Sequence, residues 1–329
     1  MLIIKEIYIM KILVVQLGRI GDMILLTPVF ASIKKKYPDA EIHLLSGRHN
    51  HNVANYNPYI NKIHIYHKKP LKILSLIKEL RSENFDYWID PKDHYSTESR
   101  VFAQLTNAKV KIGYNPPDKN NFDFAVPSNN ANEGKHFTER AFNALIPLGI
   151  EKPVILPRPE LYYNADNMNF EEKFLSALAY KNFILINIFA SSESRMWEDI
   201  KWRELVEKIQ SKYPVVLSAQ TIQLNRVLPI ASGFANVKIF ESRTIIDMFA
   251  LTEKAMLLIT PDTSVVHIAA AYNVPTLGLY NYFQETNSKF RPVSAKSMML
   301  TTQEGGGNLK NLSVEEVFSA FEKLITELN

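Results

Sequence analysis

Short apolar runs alternate with amphipathic segments along most of the chain. Strands are predicted where Val, Ile, Leu and aromatic residues cluster, and helices where apolar residues recur every three or four positions. The predicted strands are residues 11–15, 41–45, 62–66, 85–89, 109–112, 183–188, 215–219, 237–240, 256–260 and 276–280. The predicted helices are residues 23–37, 71–81, 97–105, 135–148, 200–212, 224–232, 245–251, 264–272 and 314–328. This alternation predicts an α/β fold with parallel sheets.

A proline-rich segment divides the two series of elements. Residues 152–159 carry three prolines and cannot be helical, so we predict an interdomain linker over residues 152–160. The first domain then covers residues 1–151 and the second residues 161–312. A final helix over residues 313–329, opened by a capping box from Ser313 to Glu316, is available to cross back to the first domain. The prediction is two Rossmann-like, doubly wound domains that face each other across a cleft.

Composition agrees with a globular protein of this size. The chain has 329 residues, 46% hydrophobic and 22% charged, which is enough for two separate cores. The absence of cysteine excludes disulfides and fits a reducing compartment, so we expect a cytoplasmic protein. No apolar run approaches the ~20 residues that cross a bilayer. The apolar opening over residues 1–10 lacks a signal-peptide cleavage site, and Met10 is an alternative start to Met1.

The charge is distributed unevenly. Net charge is +4, and the excess of Lys and Arg lies before Glu160. The basic groups include Lys34, Lys35 and Lys36, and Lys68, Lys69, Lys72 and Lys78. These groups are either a solvated face or an attraction for an anionic partner or the inner face of a membrane. Seven of the eight histidines lie in the same half without the spacing of metal ligands, so we predict no metal site, and we expect no nucleic-acid partner.

The turn after the first strand is the first candidate site. Gly18-Arg19-Ile20-Gly21-Asp22 joins a strand to a helix, and such turns lie at the carboxyl edge of the sheet, where ligands bind. The turn lacks the Gly-x-Gly-x-x-Gly pattern of a dinucleotide site, and no Gly-Lys-Ser/Thr follows as in a phosphate-binding Walker A loop. Asp22 is therefore either a cap of the helix or a general base at this edge.

A second candidate turn follows the strand at residues 256–260. Asp262, Thr263 and Ser264 stand where a helix begins, and hydroxyl groups with unpaired backbone N–H groups there suit a phosphate or pyrophosphate. His267, less than one turn further on, faces the same ligand or packs in the core. The alternative is that Asp262 or Thr263 is only an N-cap.

A third candidate turn follows the strand at residues 183–188. Small polar residues lead to Arg195, whose guanidinium could bind a diphosphate through bidentate contacts. The alternative is a surface arginine beside Trp197 and Trp202 in the packing.

These motifs resemble one family. Residues 11–28, with Gly18, Gly21 and Asp22, and residues 260–271, with the Asp262-Thr-Ser-Val-Val-His267 sequence, resemble glycosyltransferase family nine, the ADP-heptose:lipopolysaccharide heptosyltransferases. Weaker matches lie at Asp90, Ser99, Gly113, Tyr114, His136 and Arg140. The resemblance covers nearly the whole chain and implies the GT-B fold, in which the donor binds to the C-terminal domain and the acceptor to the N-terminal one.

The resemblance also implies roles for the candidate residues. Asp22 takes the position of the general base, and Arg195 stands where the family usually has a lysine that faces the donor diphosphate. Asp262, Thr263, Ser264 and His267 fall on donor-binding positions, with Ser264 in place of the family's commoner glycine. Gly18, Arg19, Gly21, Lys92 and His136 would line the acceptor side.

The implied reaction is an inverting transfer of a heptose from ADP-heptose to an anionic lipopolysaccharide core or related glycan acceptor. It needs no cofactor and no metal, and the sequence has no Asp-x-Asp motif. Two alternatives stay open. A nucleotide-sugar epimerase or hydrolase of the same fold would consume donor without acceptor, and a non-catalytic nucleotide-binding protein would tolerate the loss of Asp22.

Overall fold

The computed structural model describes residues 8–178, 182–303 and 307–328. It divides the chain into two units, Met1–Pro157 and Arg158–Asn329. The division falls inside the segment predicted as the linker, where Val154 and Ile155 are exposed. The apolar opening of the chain lies outside the described residues up to position 7.

The first unit contains one six-stranded sheet with helices between the strands. Its elements are β1 (Lys11–Gln16), α1 (Ile20–Lys36), β2 (Glu41–Gly47), β3 (Lys62–Tyr66), α2 (Pro70–Ser82), β4 (Tyr87–Ile89), α3 (Thr97–Leu105), β5 (Val110–Gly113), β6 (Phe124–Ala125) and α4 (Phe137–Ala141). The strand order is β3-β2-β1-β4-β5-β6, and the paired strands are parallel. This is the doubly wound order of a Rossmann-like domain.

The second unit repeats that arrangement. Its elements are α5 (Ala165–Ser176), β7 (Ile184–Asn187), α6 (Asp199–Gln210), β8 (Val215–Ala219), α7 (Leu224–Ala231), β9 (Val237–Glu241), α8 (Ile245–Glu253), β10 (Leu257–Pro261), α9 (Ser264–Tyr272), β11 (Thr276–Tyr280), α10 (Gln284–Phe290), β12 (Ser297–Thr301) and α11 (Val314–Thr326). The strand order is β12-β11-β10-β7-β8-β9, again with parallel pairs. The predicted α/β class and doubly wound sheets are confirmed.

The central strands are apolar because helices cover both faces of each sheet. Three residues of β1 and three of β10 are fully buried: Ile12, Leu13 and Val14, and Leu257, Leu258 and Ile259. A strand buried on both faces reads as a continuous apolar run rather than an alternating one. This explains why the innermost strands are the easiest to recognise in the sequence.

The structure corrects the prediction of one long helix over residues 135–148. That segment forms the short helix α4 and then a 3-10 turn, Phe142–Leu148, which contains Pro147. Proline lacks the N–H that an α-helix needs and so favours the tighter, irregular turn. Gly149 follows with a φ of 70°, which confirms its predicted role as a left-handed C-cap.

The final helix packs on the second unit. The predicted capping box is confirmed, because the Glu316 amide donates to Ser313 Oγ (3.2 Å) and the Ser313 amide donates to Glu316 Oε2 (2.7 Å). Val317, Phe321 and Leu324 of α11 are buried in the core of that unit. The apolar face of α11 thus packs within the second unit, and its crossing back to the first domain stays a prediction. None of the helices in the described ranges is long and apolar enough to cross a bilayer.

Candidate functional site

The predicted site residues gather where the strand order of each sheet reverses. In the first unit the turn at Gly18 to Asp22 follows β1, and Lys92 follows the adjacent strand β4. In the second unit Arg195 follows β7, and the segment from Asp262 follows the adjacent strand β10. The carboxyl ends of two such strands form the crevice in which doubly wound proteins bind ligands. Each unit therefore has one candidate site at its switch point.

Asp22 lies inside the first turn of α1. The helix begins at Ile20, three residues earlier than predicted, and the Arg19 amide donates to Asp22 Oδ2 at 3.1 Å. The carboxylate thus caps the helix from within and lies at the positive end of the helix dipole. The capping interpretation is confirmed. The cap also fixes the direction of the half-buried Asp22 carboxylate at the carboxyl edge of the sheet. Of the other residues predicted in this turn, Arg19 is exposed and Gly21 is half-buried.

Gly18 is required by a close approach rather than by an unusual φ. A Cβ there would lie 2.6 Å from Asp22 Oδ2 and 2.7 Å from Gln16 Oε1. Gln16 Oε1 accepts a hydrogen bond from the Gly18 amide at 2.9 Å. Any larger residue would push away the carboxylate that the turn presents.

Asn50 braces the same turn and was not predicted. Its Nδ2 donates to the carbonyls of Gln16 and Gly18, both at 3.0 Å, and the residue is fully buried. Asn50 follows β2, the neighbour of β1, so its position at the carboxyl end of an adjacent strand was the signal that could have found it. The turn is therefore held by two strands.

The other two predicted acceptor-side residues, Lys92 and His136, differ in their surroundings. Lys92 is half-buried, and its amide donates to Asp90 Oδ1 at 3.1 Å, at the end of β4. Burial raises the pKa of Asp90, against the opposing effects of Ser99 and Lys92. His136 is fully buried, and its Nδ1 accepts from the Thr138 amide (3.3 Å) as the N-cap of α4. The ring of His136 therefore lies inside the first unit, and its assignment to the acceptor side stays a prediction.

The second-unit turn begins α9 with a hydroxyl cap. Thr263 is the N-cap, and its Oγ1 accepts from the Val265 amide at 3.1 Å, which confirms the capping interpretation for this residue. Ser264 is the first helical residue and is half-buried. His267 is only 3% exposed and lies beside the Phe290 ring. Burial lowers the pKa of His267 to about 4, so the ring is neutral at neutral pH.

Arg195 and Asp262 are brought together by adjacent strands. Arg195 Nη1 donates to Asp262 Oδ2 at 2.9 Å, Nε donates to Ser192 Oγ at 3.1 Å, and Nη2 donates to Ser191 Oγ at 2.9 Å. The arginine side chain is 21% exposed. A guanidinium with five N–H groups held in this way is a rigid, partly exposed cation beside the start of α9.

The tryptophans near Arg195 are structural. Trp197 and Trp202 are both buried and pack edge to face with ring centroids 5.0 Å apart. Trp197 Nε1 also donates to the Leu312 carbonyl at 3.0 Å. The interpretation that these two tryptophans belong to the packing is therefore confirmed. Arg195 itself lies at the switch point.

Asn281 is a further residue of this edge that the sequence reasoning missed. It follows β11, the neighbour of β10, and its Nδ2 donates to the Ser194 carbonyl at 2.9 Å. The residue is 4% exposed, and its Oδ1 finds no hydrogen-bond partner within the described parts of the chain. Asn281 therefore ties the loop that carries Arg195 to β11. As with Asn50, its place after a strand was the available signal.

One group in the described residues could hold a metal ion: His43, His64 and Glu83, whose ligand atoms lie within 4.8 Å of one another. The local histidine spacing did not show this group, because neighbouring parallel strands bring the two rings together. Lys62 and Lys11 already pair with Glu83 at 2.7 and 3.0 Å. These ammonium groups compete with a metal for the carboxylate, so we assign the cluster to the structure of the first unit.

That cluster also lies away from the candidate site. Lys11, Glu41 and Lys62 are the first residues of β1, β2 and β3, which places them at the amino edge of the sheet. The turn at Asp22 is at the opposite, carboxyl edge.

Two doubly wound units, each with a candidate site at its switch point, define the class of fold, and the family follows from direct comparison. The model of glycosyltransferase family 9 (heptosyltransferase) matches residues 73–318, so the chain belongs to this family. The resemblance seen in the sequence is confirmed.

Relatives and solved structures agree with this assignment. Lipopolysaccharide heptosyltransferase 3 of Escherichia coli strain K12 is 30% identical, over 93% of this chain and 96% of the relative. The structure of E. coli ADP-heptose lps heptosyltransferase II has a TM-score of 0.78 at 19% identity, covering 97% of this chain and 99% of that one. E. coli heptosyltransferase WaaC with ADP has a TM-score of 0.76 at 17% identity, with coverage of 97% and 99%. The predicted GT-B fold is thereby confirmed.

Proposed function

We propose that this glycosyltransferase moves a heptose from ADP-heptose to a lipopolysaccharide core or related anionic glycan acceptor, with inversion and without a metal ion. The names of the relatives support the sugar, the nucleotide and the acceptor class. The observation that carries the mechanism is the capped carboxylate of Asp22 at the switch point of the first unit. The residues after β7 and β10 supply a donor site of matching chemistry.

Asp22 acts as the general base in this proposal. The carboxylate takes the proton of the acceptor hydroxyl while the hydroxyl oxygen forms its bond to the anomeric carbon. The bond from that carbon to the phosphate oxygen breaks on the opposite face, and ADP leaves with the electron pair. A single displacement of this kind inverts the anomeric configuration. A positioned base typically contributes ~10²–10⁴-fold to the rate.

The donor edge neutralises the charge of the leaving diphosphate. Arg195 supplies guanidinium N–H groups, and the first turn of α9 at Ser264 supplies backbone N–H groups at the positive end of a helix dipole. Asp262 holds Arg195 in place and has the polar oxygens to contact a sugar hydroxyl. His267, neutral and buried, supports this turn from inside the unit rather than by charge.

Fixed cationic groups of this kind serve the purpose that a metal ion serves in other transferases, so the proposed reaction uses no cofactor. The acceptor approaches the first unit, whose basic residues suit an anionic glycolipid. The proposed location is therefore the cytoplasm, with peripheral contact at the inner face of the cytoplasmic membrane.

A ligand screen followed by a product assay tests the proposal. A ligand present at ~100 times its dissociation constant raises the free energy of unfolding by about 2.7 kcal/mol. We expect ADP and ADP-heptose to raise the melting temperature more than UDP- or GDP-sugars do. Stabilisation by UDP- or GDP-sugars alone would overturn the donor assignment.

The product assay separates the alternatives of the same fold. We expect ADP release only when a lipopolysaccharide-type acceptor is present, because the acceptor is the attacking group. An epimerase or a hydrolase would consume the donor without an acceptor. A binding protein would release no ADP whether or not the acceptor is present.

A further inference from the structure

The first turn of α2 presents two leucines to solvent. Leu71 is 82% exposed and Leu74 is 66% exposed, whereas Leu76 and Leu80 of the same helix are buried in the core. Residues three positions apart share one face of a helix, so Leu71 and Leu74 lie side by side on the outer face. Among the described residues, this apolar pair is left largely exposed by the packing of the first unit.

Exposed cations surround the two leucines. Together with Leu71 and Leu74, the residues Lys68, Lys69, Lys72 and Arg48 define what we call the α2 patch. Lys68 pairs with Glu98 at 3.2 Å. The other three cations have no acidic partner within the part of the chain that the structure describes.

His67 lies among these charges. Desolvation lowers the pKa of His67, and so do the nearby charges of Lys72, Arg48, His51 and Lys69, in that order. The positively charged groups that follow β2 and β3 and those of α2 therefore lie around His67. The patch is a local excess of positive charge around an apolar pair.

The α2 patch lies at the same edge of the sheet as Asp22. The helix α2 begins at Pro70, shortly after β3 ends, and the loop with Arg48 follows β2. Two residues after Arg48, Asn50 donates to the Gly18 carbonyl at 3.0 Å. A partner that covers the patch would therefore meet the first unit on the side of the candidate base.

We propose that the α2 patch docks the first unit on an anionic phospholipid surface. Leu71 and Leu74 enter the headgroup boundary, and the lysines and Arg48 pair with anionic headgroups. A soluble phosphate would account for the cations but not for the leucines, and an apolar protein partner would account for the leucines but not for the excess charge. The inference deepens the proposed function, because it names the surface on which a lipid-linked acceptor is reached.

Vesicle flotation of the full chain tests this inference without donor, acceptor or glycan. We expect binding to vesicles that contain an anionic phospholipid, no binding to vesicles of a zwitterionic phospholipid alone, and release at high salt because exposed charges are screened. We expect Leu71→Ser with Leu74→Ser, and separately Lys69→Glu with Lys72→Glu, to lower the vesicle partition coefficient by about tenfold or more.

Two matched variants are the controls. Ile222→Ser with Leu228→Ser removes apolar residues that are 87% and 53% exposed on the second unit. Lys35→Glu with Lys36→Glu reverses two exposed charges at the far end of α1, at the amino edge. Both pairs should leave vesicle binding unchanged.

Other outcomes would overturn the inference. Equal binding to neutral vesicles, or loss of binding in the controls as well, would show that the patch is not the docking surface. Binding only to vesicles that carry a lipid-linked glycan would assign the patch to the acceptor. Self-association that the leucine variant abolishes would assign it to a second copy of the chain. Asp22→Asn should keep vesicle binding while it loses transfer, so this inference and the proposed function fail separately.

Discussion

The two switch-point turns use the same structural position in opposite ways. After β1, the acid of the turn lies inside the helix, where Asp22 caps α1 through the Arg19 amide (3.1 Å). After β10, the acid lies before the helix, where Asp262 pairs with Arg195 (2.9 Å) and Thr263 is the cap of α9. One turn presents a carboxylate that accepts from a backbone amide of its own helix cap, and the other presents a carboxylate and a guanidinium together.

This difference suits a transfer between two substrates. A site that is to bind a diphosphate benefits from a cation held in a fixed orientation. In the proposed function Asp22 activates the acceptor, and Arg195 with Asp262 binds the donor.

The largest expected effect is that of Asp22→Asn on turnover. The amide cannot accept the acceptor proton, so we expect the rate of transfer to fall by ~10²–10⁴-fold. Asn still accepts the hydrogen bond from the Arg19 amide, so α1 stays capped. Steady-state kinetics with calorimetric titration of ADP would show a lost rate and an unchanged affinity.

The matched variant is Asp262→Asn in the other turn. It should change the affinity for the donor, because it releases Arg195 from its ion pair. Retained turnover in Asp22→Asn, or equal effects of the two variants on rate and affinity, would contradict the division of roles.

The next prediction concerns acid stability in the second unit. Burial lowers the pKa of His267 from 6.5 to about 4. Between pH 6.5 and pH 4, His267 is therefore protonated in the unfolded chain and neutral in the folded one. The contribution of this neutral ring to the free energy of unfolding is present above pH 6.5 and is lost as the pH falls toward 4. The difference in pKa corresponds to about 3 kcal/mol for a fully buried ring.

His267→Leu should remove this part of the acid sensitivity. Denaturant unfolding measured across the pH window would show a flatter dependence than in the unchanged chain. His49→Gln, which replaces an exposed histidine, should leave the dependence as it was. An identical pH slope in His267→Leu would contradict the assignment of a buried neutral ring.

The sequence predicted the central strands and all three candidate turns, because buried parallel strands are apolar runs and the turns follow them. It missed the helix α5. That helix buries the polar residues Asn167 and Glu171, and Asn167 donates to Asp247 Oδ1 at 2.8 Å, so no apolar period marks it. It also missed β6 and β12, since β6 is an exposed pair of residues and every residue of β12 is only half-buried.

The sequence also predicted the site in part only. Asp22, Arg195 and Asp262 were identified by their place after strands, but the contact between Arg195 and Asp262 depends on β7 pairing with β10 far along the chain. Asn50 and Asn281 brace the turns from neighbouring strands, and such bracing depends on strand order. The N-cap role of His136 was not predicted, because an N-cap and a ligand-facing histidine look alike in a sequence.

A smaller effect is expected for Arg195→Ala on donor binding. Loss of charge-assisted hydrogen bonds of about 1.5–3 kcal/mol should weaken ADP binding by roughly 10–100-fold. Arg195→Lys, which restores the residue type usual in the family, should recover most of the affinity. Calorimetry with ADP measures both variants.

Arg203→Ala is the control for that experiment. Its guanidinium bonds the carbonyls of Pro229 and Ser232, on the flank of the second unit. We expect unchanged ADP binding in this variant. An unchanged dissociation constant in Arg195→Ala would remove Arg195 from the donor site and contradict the proposed division of roles.

The smallest expected effect is the change in stability when the N-cap side chain of α9 or the Arg19 side chain of α1 is removed. Thr263→Ala removes the side chain that accepts from the Val265 amide (3.1 Å), at a cost of about 1 kcal/mol. Arg19→Ala should change stability by less than about 0.5 kcal/mol, because Arg19 makes no side-chain cap and α1 is capped by Asp22 instead. Hydrogen exchange of the first turns of α9 and α1 reads each cap locally. We expect faster exchange of the Val265 amide in Thr263→Ala and unchanged exchange in α1 in Arg19→Ala. Equal losses of protection in the two variants would show that the two turns are capped alike.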